Sequence, residues 1–250
     1  MLLAWVVCAQ AAVKSESVEY KQGDAVLKGY LAYDDALKGK RPGVLVVHEW
    51  WGLNDYIKSR ADQLAQMGYM VFAADIYGKG KRAKDPKEAG QLAGVYWKDR
   101  KLLRERANAG LDMLMKNQLT DTKRVAAIGY CFGGTTVLEI ARGGADIAGV
   151  VSFHGGLDTP DVNDAKKIKA KVLVLTGADD PNVPPAQILA FADEMRKAAV
   201  DWELVMYGGA VHSFTNPAAG NDPSKGAAYN EKADRRSWQA MKDFFAEIFK

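Results

Sequence analysis

An apolar run, Val125-Ala126-Ala127-Ile128, and a helix-like stretch, Thr135-Thr136-Val137-Leu138-Glu139-Ile140-Ala141, are joined by Gly129-Tyr130-Cys131-Phe132-Gly133-Gly134. A chain that passes this abruptly from strand to helix must crowd its backbone. Glycines on both flanks remove the Cβ atoms that would collide there, and the central side chain is pushed outward. This is the pattern of a nucleophile elbow, with cysteine where serine is commoner. A cysteine after a strand is ordinarily a small buried apolar residue, but the strand before it and the helix after it favour the exposed, reactive reading.

The rest of the chain has the alternation that such a turn requires. Val18-Glu19-Tyr20 and Val26 to Leu31, separated by Gln22-Gly23-Asp24, predict a hairpin. Val44 to Val47, Met70 to Ala74, Ile147 to Phe153 and Val172 to Leu175 are continuous apolar runs, as expected of strands buried on both faces, and Leu204 to Tyr207 is the last strand. Between them, Asn54 caps a helix carrying Ile57, Ala61 and Leu64 and stopped at Gly68. A long helix runs from about Lys98 to Lys116. Pro184-Pro185 opens another, with Ile188, Phe191 and Met195 inward, and the last carries Trp238, Met241, Phe245 and Ile248. From Gly78 to about Val95 lysine, glycine and alanine dominate, which predicts an irregular excursion over the sheet. The fold class is α/β, a mostly parallel sheet with helices on both faces, in the element order of an α/β-hydrolase.

A length of 250 residues fits one such domain, here 12–250. With 34 basic against 31 acidic residues the net charge is only +3, so no nucleic acid is expected as partner. Beyond the first dozen residues no apolar run is long enough to span a bilayer. Residues 1–11 combine an apolar run with Ala9-Gln10-Ala11, the small-residue pattern of a signal-peptide cleavage site, although a basic segment is missing before it. The expectation is a signal peptide or its remnant and a periplasmic or secreted protein, or a cytoplasmic one if the segment is no signal. Removal of Cys8 would leave Cys131 as the lone thiol. The three histidines are dispersed and neither C-x-x-C nor H-E-x-x-H occurs, so neither a metal nor a cofactor is expected.

Partners for Cys131 are sought at the carboxyl ends of the strands. In the order nucleophile, acid, histidine, only His212 follows both Cys131 and a strand-end acid; it lies in Gly208-Gly209-Ala210-Val211-His212-Ser213-Phe214. The acid is Asp179 or Asp180, and spacing leaves the two open. Glu49, between His48 and the pair Trp50-Trp51, is a carboxylate in apolar company and a candidate proton acceptor, unless it is simply paired with Arg60. The backbone N–H groups of Phe132 and Trp50 are the candidate oxyanion hole.

From about Val18 to Phe249 the chain resembles the dienelactone hydrolase family. The resemblance rests on His48-Glu49-Trp50-Trp51-Gly52-Leu53-Asn54, Ala74-Asp75-Ile76-Tyr77, the Cys131 elbow, Gly177 to Pro184 and Gly209 to Phe214. It implies a Cys131, Asp180, His212 triad, with Asp180 selected by its place three residues before Val183. It also implies that Glu49 hydrogen-bonds the resting thiol and becomes its base, and that a thioester acyl-enzyme forms on a small-molecule lactone or ester. Substrate contacts are expected from Trp51, Tyr77 and Asn216. Asn216 stands where the family's dienelactone enzymes carry the second of two carboxylate-binding arginines, and Arg82, Lys84 or Lys98 are the candidates for the first. A broad esterase for neutral esters, or a binding protein that has kept the fold, are the competing expectations.

Overall fold

The computed structural model describes residues 13–250; the leader expected over residues 1–11, and Cys8 with it, lie outside them. Strands β1 (Val13–Gln22) and β2 (Ala25–Asp34) form the expected hairpin, which turns at Gly23 with a φ of 55°. β3 (Arg41–Val47), β4 (Met70–Ala74), β5 (Thr120–Tyr130), β6 (Gly149–Phe153), β7 (Lys171–Gly177) and β8 (Trp202–Tyr207) complete an eight-stranded sheet. Its order is β1-β2-β4-β3-β5-β6-β7-β8. β2 is antiparallel to β1 and β4, and every other pairing is parallel.

The unbroken apolar runs have a simple cause: both faces of the sheet are covered. In β3, Leu45 and Val47 enter one core layer and Val44 and Val46 the other; in β5, Val125 and Ala127 are separated in the same way from Ala126 and Ile128. The first layer is closed by α3 (Arg100–Lys116), α4 (Phe132–Arg142) and α5 (Pro185–Lys197), through residues such as Leu103, Val137 and Phe191. The second is closed by α1 (Asp55–Gln66) and α6 (Glu231–Ile248), through Ile57, Leu64, Met241 and Phe245. Asn54 caps α1 as expected, its side chain accepting from the Ile57 N–H at 3.2 Å.

The expected irregular excursion needs correction. Its second half is helical: α2 (Pro86–Lys98), capped by Asp85 with Pro86 in its first turn, begins inside it and runs on past Val95. Its buried residues are Ala89, Ala93 and Tyr96, one narrow stripe on an otherwise hydrated helix. A stripe of two alanines and a tyrosine carries little apolar signal, which hid the 3.6-residue period. The long middle helix accordingly starts at Arg100, with Asp99 as its cap. Among the described residues no helix is long and apolar enough to cross a membrane.

Candidate active site

At the end of β5 the backbone turns into α4 in a single residue. Cys131 has φ 54° and ψ −114°, a left-handed conformation that side chains rarely adopt. The flanking glycines make this possible. A Cβ on Gly129 would lie 2.0 Å from the Gly133 carbonyl oxygen, and one on Gly133 would lie 2.2 Å from the Val47 carbonyl oxygen. The sulfur thus stands at the N-terminus of α4, where the helix dipole and free first-turn N–H groups favour negative charge.

His212, beyond β8, and Asp180, beyond β7, meet Cys131 from the neighbouring strand ends. His212 Nε2 is 3.0 Å from Cys131 Sγ and its Nδ1 is 2.8 Å from Asp180 Oδ2. Burial opposes a charge on His212, but the adjoining Cys131 sulfur and the Asp180 carboxylate outweigh it and hold the imidazole pKa well above its usual value. Asp179, the other strand-end acid, is exposed and accepts from the Gly209 N–H at 3.0 Å, which ties down the loop bearing His212.

Glu49 follows β3 and is fully enclosed. Its oxygens accept from Asn216 Nδ2 at 2.6 Å and Ser213 Oγ at 3.4 Å, while the thiol's hydrogen-bond partner is His212. Burial raises the Glu49 pKa and the Asn216 hydrogen bond partly offsets it. Arg60 does not pair with it directly; its guanidinium binds Asp234 at 2.6 Å and the Thr215 carbonyl at 2.7 Å. His48 is structural. Its Nδ1 donates to the Glu49 carbonyl at 2.6 Å and its Nε2 accepts from the Ile76 N–H at 3.2 Å, so it is neutral, and burial keeps its pKa low.

A cavity of about 950 Å³ opens over Cys131 and His212. Trp50, Trp51, Trp97 and Phe132 give it aromatic walls, and Asn216 lies at its edge. Phe132 opens α4, so its N–H has no intrahelical acceptor. Tyr77 is a correction to the expected substrate contacts. It is 2% exposed, lies among the core residues and donates its hydroxyl to the Trp50 carbonyl at 3.0 Å, so it supports the pocket's wall from below. Arg82, Lys84 and Lys98 are exposed and line no part of the cavity. The cations in its wall are Arg100, paired with Asp158 at 3.1 Å, and Lys225, 3.9 Å from Asp222. The sequence gives no sign of Arg100's place because α2, whose end sets where α3 begins, carries too little apolar signal to be read. Among the described residues no group of three or more histidine, cysteine or acidic side chains could hold a metal ion.

Known proteins share this fold over nearly the whole chain. The profile described as the dienelactone hydrolase family matches residues 27–249. Protein usf of Aquifex pyrophilus is 30% identical over 93% of this chain and 98% of its own length. The solved structure called m3DLH is 42% identical, with a TM-score of 0.92, over 96% of this chain and all of its own. A dienelactone hydrolase-like promiscuous phosphotriesterase from metagenomic libraries, P91, is 43% identical, with a TM-score of 0.91 and the same coverage.

Proposed function

This chain belongs to the dienelactone hydrolase family, enzymes that hydrolyse lactone or ester bonds, and from that premise we propose that it cleaves small neutral esters and lactones through a thioester on Cys131. The observation that carries this reading is the unbroken line from Asp180 through His212 to Cys131, at 2.8 and 3.0 Å, on the floor of an aromatic cavity. His212 Nε2 takes the thiol proton. The thiolate adds to the ester carbonyl, and the oxyanion is met by the N–H groups of Phe132 and Trp50. Collapse breaks the C–O bond, and the imidazolium returns its proton to the leaving alcohol. Water, deprotonated by His212, then adds to the thioester and releases the carboxylic acid and the thiol. Asp180 holds the tautomer throughout and stabilises the imidazolium.

Thiol activation rests with His212, whose Nε2 lies 3.0 Å from the sulfur, while the Glu49 oxygens accept from Asn216 and Ser213. Asn216 is uncharged; of the cations lining the cavity, Arg100 binds Asp158 through one Nη while its Nε and other Nη are buried and unpartnered, and Lys225 lies 3.9 Å from Asp222. The uncharged Asn216 supports a neutral substrate over one anchored there by a carboxylate.

Two assays test this. Initial rates on p-nitrophenyl acetate are expected to match or exceed those on a carboxylate-bearing dienelactone at neutral pH. Acid-quenched reactions are expected to show an acyl mass on the peptide containing Cys131. A dienelactone preferred tenfold or more would overturn the neutral-substrate reading and leave the thioester mechanism standing. Turnover with the acyl group on another residue would overturn the mechanism.

A further inference from the structure

His154, which follows β6 and takes no part in the chemistry above, is buried with no exposed surface and has φ 41°. For a non-glycine residue this backbone conformation is rare, and such strain persists only where surrounding contacts over-determine it. The contacts are unusual. The Cys131 backbone N–H points at both the Phe153 carbonyl, at 2.9 Å, and His154 Nδ1, at 3.1 Å. A ring nitrogen that accepts from an N–H carries no proton, so the proton of His154 is on Nε2. Nε2 lies 2.7 Å from Thr215 Oγ1 and donates to it.

Thr215 Oγ1 then has its own proton free for Tyr56 Oη, 2.7 Å away, and Tyr56 donates onward to the Thr215 carbonyl at 3.2 Å. Each donor in this chain has an acceptor, and the direction of every bond follows from the first. Thr215 lies three residues after His212, and the His154 ring packs edge-on against the His212 ring, with centroids 5.3 Å apart. One neutral imidazole therefore bridges the backbone that carries the sulfur to the loop that carries its proton acceptor. Burial, with His212 and Arg60 nearby, pushes the His154 pKa well below the usual value, in keeping with the tautomer that the hydrogen bonds require.

We propose that His154 is a positioning residue that sets the reach between Cys131 Sγ and His212 Nε2 by tying the elbow's backbone N–H to Thr215. The proposal rests on Cys131 and His212 being the reacting pair. A bridge of this kind acts on a distance that matters most in the transition state, so its loss appears in kcat and leaves substrate binding alone.

The test compares three variants on p-nitrophenyl acetate, with melting temperatures measured alongside. His154→Phe keeps a flat ring and removes both hydrogen bonds; kcat is expected to fall between about 10- and 100-fold with KM within about twofold. His154→Asn tolerates the positive φ, and its Oδ1 stands where Nδ1 stood, so it is expected to recover much of the lost kcat. Thr215→Val, which loses the far end of the bridge together with its hydrogen bond to Tyr56, is expected to lower kcat several-fold, again at constant KM. A kcat in His154→Phe within twofold of wild type would overturn the proposal. So would a rise in KM at unchanged kcat, or a loss in His154→Asn as deep as in His154→Phe. Cys131→Ala, run in parallel, separates the two failures: if it is inactive while His154→Phe is fully active, only the bridge is wrong.

Discussion

Cys131→Ala is expected to lower kcat on p-nitrophenyl acetate by roughly 10⁴-fold or more, and adding His212→Ala to that variant is expected to lower it hardly further. The reason is geometric. His212 Nε2 lies 3.0 Å from the sulfur, and its high pKa owes much to that sulfur, so neither group does its work without the other. Groups that act as one unit give non-additive losses, and what survives is the contribution of the oxyanion-binding N–H groups and the pocket. Asp180→Asn keeps the space but offers the wrong hydrogen-bonding partner to Nδ1 and is expected to cost less than either. Steady-state rates on the two single variants and the double variant check this. If the two single losses multiply in the double variant, Cys131 and His212 are not a catalytic pair.

Arg142→Leu is expected to destabilise the protein by about 3–5 kcal/mol, the cost of leaving buried carboxylates without their partner. Arg142 is completely buried at the end of α4. Its Nε and one Nη form a fork on Glu194 of α5, both at 2.8 Å, and the other Nη reaches Glu139 at 3.1 Å. The same guanidinium donates to the carbonyls of Leu157 at 2.8 Å and Asp158 at 3.4 Å, so all five of its N–H groups are used. Glu139 keeps a second partner in Arg104, at 2.8 Å, whereas Glu194 would be stranded. The double variant Arg142→Leu, Glu194→Leu is therefore expected to regain much of the loss, because removing both charges also removes their desolvation penalty. Urea unfolding of both variants decides it. A double variant no more stable than the single one would mean that the orphaned carbonyls, not the stranded carboxylate, carry the cost.

The sheet was legible in the sequence because strands buried on both faces leave short unbroken apolar runs, bounded by turn residues and alternating with helical stretches. Val44 to Val47 and Val172 to Leu175 are read off directly, and each falls inside its strand. The elbow was legible for a related reason. Gly129 and Gly133 are required by backbone contacts only a few ångströms long, and that requirement is written in the local order of residues. α2 was not legible, since only Ala89, Ala93 and Tyr96 mark its buried side.

By itself, then, the sequence determined the α/β architecture, the strand-to-helix turn that lifts Cys131, and the two strand-end loops that offer His212 and an aspartate. Spacing left Asp179 and Asp180 open and the family resemblance pointed to Asp180; the tertiary structure has Asp180 at the imidazole and Asp179 at the Gly209 N–H. Only the tertiary structure placed Tyr77 beneath the pocket, Arg100 in its wall, and Asn216 on Glu49, 167 residues away. It alone placed His154, which meets Thr215 across 61 residues. Backbone conformation is dictated by near neighbours and so can be read from their order. The partner of a buried polar side chain is chosen by whichever distant strand end the sheet brings within about 3 Å, and no local pattern encodes that.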